Sequence, residues 1–153
     1  MPLRAQFTDA LKSAMLKKDE RTVGTVRLIM AKLKEADIAA RPKGNTEGIN
    51  DNEITSLLQG MIKQRRESIT IYEKAKRDDM VKQESEEISV IERFLPKQMS
   101  EDEIKSAIAA SIKSTGAAGI KDMGKVMGEL KKNYAGKMDF AQAGALVKGQ
   151  LGG

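Results

Sequence analysis

The sequence has no cysteine and no histidine among its 153 residues. Without cysteine there is no disulfide and no thiolate nucleophile, so nothing in the chain points to an oxidising compartment. Without histidine the chain lacks the usual general base near neutral pH and one of the commonest zinc ligands. These absences exclude the Cys/His and Ser/His/Asp arrangements of nucleophilic enzymes. An enzyme here would have to use carboxylates, lysines and hydroxyls.

Aromatic residues and long apolar segments are also scarce. Phe and Tyr together number five and Trp is absent, so stacking platforms for single-stranded bases are not expected. No window approaches 18 uncharged apolar residues, and polar and acidic residues at the amino terminus interrupt any secretory signal. We therefore expect no membrane partner and a cytoplasmic location.

What the chain does contain is a series of amphipathic helical patterns. The first covers residues 3–18, where apolar side chains recur at every fourth position: Leu3, Phe7, Leu11 and Met15. Further helices are predicted over residues 21–39, over about five turns after the start signal at 50–53, and over 78–95, where Pro96 ends the pattern. Four helices of comparable length predict an up-and-down bundle over residues 1–96.

The pattern changes after Pro96 and predicts a second, smaller domain over residues 97–153. Ser100 and Glu103 form a capping-box pattern that opens a helix ending at Thr115-Gly116. Asp122 is predicted to cap a helix over 123–133, and a turn leads into a last helix over 140–151. No segment alternates apolar and polar residues, so the predicted fold is all-α, a four-helix up-and-down bundle followed by a three-helix domain.

One segment has the spacing of a phosphate-binding loop up to its last position, Gly119-Ile120-Lys121-Asp122-Met123-Gly124-Lys125-Val126. Nucleotide-binding loops need a Ser or Thr at that position to hold magnesium, and they need a preceding strand. Val126 has no hydroxyl, and the preceding segment is predicted to be helical. The pattern therefore argues against nucleotide hydrolysis.

Two other interpretations of the same segment remain open. If Asp122 caps the helix, backbone N–H groups and the flanking Lys121 and Lys125 form an anion site that fits a nucleic-acid phosphate. Alternatively, the glycines serve the backbone alone, with Gly124 and Gly128 on one face for close helix packing.

The acidic residues of the fourth helix raise the question of a metal. Metal-binding bundles pair Glu with His at i, i+3, and this chain has no His, so Glu84, Glu86 and Glu87 are interpreted as a solvated face. We therefore expect no metal and no cofactor.

The charge balance indicates an anionic partner. Residues 97–153 contain nine lysines and six acidic residues, a net charge of +3, whereas residues 1–96 carry +2. Lys131 and Lys132 add to Lys125 on one predicted helix. A basic helical domain without aromatic platforms favours contact with the backbone of a folded RNA.

Two motifs in the second half resemble those of a known family. The first is Glu92-Arg93-Phe94-Leu95-Pro96-Lys97-Gln98-Met99-Ser100-Glu101-Asp102-Glu103-Ile104, and the second is Gly116-Ala117 followed by Lys121-Asp122-Met123-Gly124-Lys125-Val126-Met127-Gly128. In their order and spacing they resemble the YqeY (GatB/YqeY) family, and the resemblance covers essentially the whole chain. That family is similar to the tail domain of the B subunit of the tRNA-dependent amidotransferase.

The resemblance implies a helical bundle joined to a smaller helical domain, and it implies tRNA or another structured RNA as partner. In the amidotransferase the tail touches the outer corner of the tRNA, while other parts carry the chemistry. The family name implies a carbon–nitrogen ligase with glutamine as amido-N-donor, but this sequence offers no catalytic residues for glutamine hydrolysis or ATP use.

The sequence thus predicts a non-catalytic or accessory RNA-binding protein, with a possible link to tRNA-dependent amidation. The expected contacts lie in the carboxy-terminal domain: Lys121, Asp122, Gly124, Lys125, Lys131 and Lys132. The alternative is a protein–protein adaptor that uses the helical bundle.

Overall fold

The computed structural model describes residues 1–152, and in that range it contains seven α-helices and no strand. The prediction of an all-α protein is confirmed. The helices are α1 (Leu3–Leu16), α2 (Glu20–Ala40), α3 (Asp51–Lys74), α4 (Asp78–Glu92), α5 (Glu101–Thr115), α6 (Met123–Asn133) and α7 (Phe140–Gly152). Short 3-10 turns cover Arg41–Lys43 and Ile120–Asp122.

The chain divides into two compact units, Met1–Leu95 and Pro96–Gly153. In the first unit α2 contacts α1, α3 and α4, and α3 packs along α4. In the second unit each of α5, α6 and α7 contacts the other two.

The core of the first unit is aliphatic, with a single aromatic pair. Phe7 is fully buried and meets Phe94 edge to face, with ring centroids 4.9 Å apart. Aliphatic side chains from every helix of the unit complete this core, among them Val26, Ile29, Ile54, Leu58 and Ile91.

The predicted stripe on α1 is wrong at its last member, because Met15 is 53% exposed whereas Ala14 is 4% exposed. A helix turns by about 100° per residue, so a position twelve residues after Leu3 has drifted roughly 120° from it. Ala14 lies within about 20° of Leu3 and therefore faces the core. Residues spaced four apart therefore no longer share one face of a helix after about two turns.

Helix α4 ends at Glu92, three residues earlier than predicted. The N–H groups of Phe94 and Leu95 bond to carbonyls three residues back, each at 3.1 Å, so the chain tightens before Pro96. A residue that precedes proline is disfavoured in the α conformation, which accounts for the early end.

A charged clasp organises the loop between α2 and α3. Arg4 donates to both carboxylate oxygens of Asp37, at 2.8 and 2.9 Å, and to the carbonyl of Ile49 at 2.9 Å. The N–H of Ile49 donates back to Asp37 at 2.9 Å. The hydrogen bonds from Arg4 hold the pKa of Asp37 below its ordinary value. The clasp therefore ties α1, α2 and the entry to α3 together.

Gly48 lies against this clasp in the left-handed region, with φ +99°. A Cβ atom at Gly48 would come within 2.7 Å of Arg4 Nη2 and 2.8 Å of Asp37 Oδ1. Gly44, in the same loop, also has a positive φ of +92°, but a Cβ there meets nothing within 4 Å.

These two glycines give a matched test of the clasp. Gly44→Ala should cost roughly 1–2 kcal/mol of unfolding free energy, because a side chain disfavours the left-handed backbone. Gly48→Ala should cost about 1–3 kcal/mol more, because its Cβ also displaces the Arg4–Asp37 pair. Urea unfolding of both variants measures the difference, and equal losses would contradict the steric role assigned to Gly48.

Candidate functional site

The six residues predicted to contact RNA lie at the two ends of α6. Lys121 and Asp122 belong to the 3-10 turn before the helix, and Gly124 and Lys125 belong to its first turn. Lys131 and Lys132 lie in its last turn. The structure therefore spreads the residues along the whole helix.

Asp122 precedes the helix as predicted, but its side chain makes no capping hydrogen bond. Its carboxylate instead accepts the N–H of Ala118 at 2.9 Å, which closes the connector between α5 and α6. That hydrogen bond, with help from Lys125 and Lys121, lowers the pKa of Asp122. The predicted cap is wrong because the chain enters α6 through a 3-10 turn, which turns the carboxylate back towards the connector.

The same turn occupies some of the N–H groups expected to face an anion. The N–H of Asp122 donates a hydrogen bond to the carbonyl of Gly119 at 2.9 Å, and the N–H of Met123 donates one to the carbonyl of Ile120. The helix start therefore offers fewer open donors than predicted. The positive potential here comes chiefly from the lysine side chains.

The lysines of α6 are exposed on two adjoining strips of the helix. Lys125 and Lys132 are seven residues apart, which places them on one face about 10 Å apart along the axis. Glu129 lies between them on that face. Lys131 shares the neighbouring strip with Gly124. Lys125 lies 4.0 Å from Asp122 with its side chain 70% exposed, and Lys121, Lys131 and Lys132 form no ion pair within residues 1–152.

Gly124 and Gly128 do not serve close helix packing. Both are exposed, and a Cβ atom built at either one meets nothing within 4 Å. This finding removes the packing explanation for the two glycines. Adjacent to Lys125 and Lys131, they leave a strip of helix backbone uncovered on the lysine-bearing surface.

The acidic residues of α4 are only in part a solvated face. Glu87 is 7% exposed, and its carboxylate accepts a hydrogen bond from Arg65 of α3 at 3.0 Å. Glu86 pairs with Arg21 at 3.0 Å. Burial raises the pKa of Glu84, and the neighbouring Glu87 adds to that shift. The burial of Glu87 was missed because its partner Arg65 lies 22 positions earlier, on another helix. The spacing of residues within α4 cannot indicate such a partner.

No group of three or more acidic side chains within residues 1–152 is arranged to hold a metal ion. No helix in the same range is both long enough and apolar enough to cross a membrane.

Sequence reasoning also missed a cleft in the second unit with a volume of about 450 Å³. It is lined by Lys97, Gln98, Met99, Glu103, Tyr134 and Lys137. We call it the Tyr134 cleft. Lys97 and Lys137 are forty positions apart, so no local spacing could have grouped them.

Comparison with known proteins gives a family and a set of relatives. The family model described as Yqey-like protein matches residues 4–151. Three relatives are each named altered inheritance of mitochondria protein 41, mitochondrial. The protein from Pyrenophora tritici-repentis is 28% identical over 130 residues, 83% of this chain and 68% of the relative. The Kluyveromyces lactis protein is 32% identical over 90 residues, 59% of this chain. The Saccharomyces cerevisiae protein is 31% identical over 85 residues, 56% of this chain.

The matches span 68% of the Pyrenophora protein but only 46% and 44% of the two yeast proteins. The relatives also correct the predicted location, since all three are named as mitochondrial. The prediction of a cytoplasmic location was wrong because it relied on two absences, a secretory signal and a membrane span. Absences of this kind do not identify a compartment.

The bond from Ala118 to Asp122 gives a pH-dependent test of the connector. Because the pKa of Asp122 is lowered in the folded state, its contribution to stability is present at neutral pH and is lost as the pH falls through that lowered value. The backbone amide resonance of Ala118 should therefore shift in acid, with a midpoint below that of an ordinary aspartate, in ¹H–¹⁵N NMR spectra. Asp122→Asn should remove this transition. An Ala118 resonance that titrates alike in both proteins would refute the assignment.

Proposed function

The chain belongs to the YqeY-like protein family, and from this premise we propose that it binds tRNA or another structured RNA through the unit Pro96–Gly153. The observation that carries the proposal is the surface of α6, where exposed lysines flank glycines that packing does not require. Lysine side chains neutralise phosphates, and an uncovered helix backbone lets a phosphodiester chain approach closely.

The net charge supports the same partner. The second unit carries nine lysines against six acidic residues, and Lys121, Lys131 and Lys132 have no competing ion pair within residues 1–152. When ammonium groups that are free of carboxylates neutralise RNA phosphates, the cations condensed on the RNA are released. This release provides most of the affinity of non-specific RNA binding.

We further propose that the first unit is a four-helix up-and-down bundle and the second a three-helix domain comparable to the amidotransferase tail. On this proposal the protein carries no catalytic step of its own. It assists a separate enzyme, such as a tRNA-dependent amidotransferase, by holding the RNA.

A protein–protein adaptor is the second candidate, and exposed apolar side chains of the first unit favour it. Leu16 is 86% exposed, Ile71 is 66% exposed and Met15 is 53% exposed. Pull-down with and without ribonuclease separates the two functions, because an adaptor keeps its partners when RNA is destroyed.

Removing two lysines at the start of α6 should weaken RNA binding in a salt-dependent way. Each phosphate contact contributes a log–log salt slope of roughly −0.7 to −0.9, so Lys121→Ala with Lys125→Ala should flatten the slope by up to about two contacts. Affinity should fall for all tRNAs alike, as measured by fluorescence titration at several salt concentrations.

Lys113→Ala with Lys148→Ala is the matched control for this pair. It removes the same charge from exposed positions of α5 and α7, so it should leave most of the affinity intact. Equal losses in both double variants would show that net charge, and not the α6 surface, accounts for binding. No binding by the parent protein at low salt would refute the proposed function.

The exposed glycines allow stability and binding to be separated. Gly124→Ala and Gly128→Ala should each raise the unfolding free energy by roughly 0.5–1 kcal/mol, because alanine is the better helix former and has room at both positions. Both should lower RNA affinity, because the added methyl covers backbone on the lysine-bearing surface.

Gly149→Ala is the control, since Gly149 is exposed in α7 with nothing within 4 Å of its Cβ position. It should stabilise the protein without changing RNA affinity. Destabilisation by Gly124→Ala would instead restore the packing explanation, and undiminished affinity in both α6 variants would remove the backbone from the binding surface.

A further inference from the structure

The walls of the Tyr134 cleft are fixed by hydrogen bonds between two distant segments. The N–H of Met99 donates to the carbonyl of Lys137 at 2.9 Å, and the Gln98 side-chain amide donates to the carbonyl of Gly136 at 2.7 Å. The same amide also donates to the carbonyl of Pro96 at 2.9 Å. Two of these hydrogen bonds hold the chain before α5 against the turn after α6, and the third orients the Gln98 side chain within its own segment. The cleft is therefore a preformed feature of the unit.

The charged groups of the cleft leave an excess of positive charge. Lys97 and Lys137 are exposed, and neither has a carboxylate partner within 4 Å in the part of the chain that the structure describes. Glu103 is the one acidic residue in the lining, and its carboxylate accepts the N–H of Ser100 at 3.4 Å in the capping box of α5. The lining therefore contains two unpaired ammonium groups and one carboxylate, which already accepts a hydrogen bond from the backbone.

Tyr134 adds an aromatic surface to the same lining. Its ring is half-buried against the core of the second unit, and its hydroxyl makes no hydrogen bond to another residue in 1–152. An open volume of about 450 Å³ is within the range that accommodates small-molecule-sized groups. An aromatic ring flanked by cations is the combination that binds a nucleotide, with the base on the ring and the phosphate at the ammonium groups.

We propose that the Tyr134 cleft holds one unpaired nucleotide of the bound RNA, with its base stacked on Tyr134 and its phosphate between Lys97 and Lys137. This inference rests on the proposed function and adds a contact that selects loops or bulges over uninterrupted duplex. Lys131 and Lys132, in the last turn of α6, come shortly before Tyr134 in the chain. One ring serves a single nucleotide, which agrees with the scarcity of aromatic residues.

The tyrosine content of the chain provides a direct probe. Tyr72 and Tyr134 are the two tyrosines and there is no tryptophan, so Tyr72→Phe leaves Tyr134 as the sole strong intrinsic fluorophore. In that background, a tRNA with unpaired loops should quench the fluorescence as it binds. A blunt RNA duplex of similar length should bind through the lysines without the same quenching.

Substitution of the lysines tests the phosphate contact independently of the ring. Lys97→Ala with Lys137→Ala should lower tRNA affinity by about tenfold at low salt and flatten the salt slope by up to about two contacts. It should also abolish the quenching. The side chains of Lys97 and Lys137 form no ion pair or hydrogen bond within residues 1–152, and circular dichroism checks that helical content is kept. Lys113→Ala with Lys148→Ala is again the matched control.

Tyr134→Phe keeps the ring and should bind tRNA like the parent, whereas Tyr134→Leu should lose about tenfold in affinity. Quenching by tRNA together with these losses supports the cleft. Normal tRNA binding with no quenching, and with no effect of the Lys97 and Lys137 substitutions, would overturn the cleft while leaving the proposed function in place. Absence of tRNA binding by the parent protein would overturn both.

Discussion

The small apolar core of the second unit is the constraint on which its remaining contacts depend. Eight of its apolar side chains within residues 96–152 are buried, and a unit of this size buries a low fraction of its surface. The chain has no disulfide to compensate, so hydrogen bonds at the helix ends stabilise the unit instead. The capping box of Ser100 and Glu103, the bonds of Gln98 and the bond from Ala118 to Asp122 each fix one connection. The same bonds shape the surface that we propose for RNA.

Much of the helical structure could be predicted from the sequence, because it depends on local spacing. The capping signals at Asn50 and Ser100 and the start of α6 at Met123 are formed by neighbouring residues, and the structure has them where the patterns indicate. Some predictions failed for local reasons, as at Met15 and Asp122, and others failed because a partner is distant in sequence. Arg65 of α3 pairs with the buried Glu87 of α4, and nothing in the spacing of residues along α4 indicates this pair.

The candidate site divides in the same way. Its lysines could be named from charge and from the resemblance. The exposure of Gly124 and Gly128 required the structure, since their spacing also fitted close helix packing. The Tyr134 cleft could not be predicted at all, because the hydrogen bond from the N–H of Met99 to the carbonyl of Lys137 joins the segment before α5 to the turn after α6. Sequence patterns do not encode a hydrogen bond over such a separation.

The glycines of α6 have a consequence for how the helix moves. Two of its eleven residues are glycines with no neighbour to restrain them, so this helix gives up stability that α5, with none, retains. Local opening free energies vary across a protein, and segments that adapt to ligands lie at the low end. We therefore expect the amide hydrogens of α6 to exchange with solvent through partial openings that leave α5 intact. A phosphodiester chain bound along α6 would suppress those openings. RNA binding to this surface would then slow amide hydrogen exchange in α6 and not in α5.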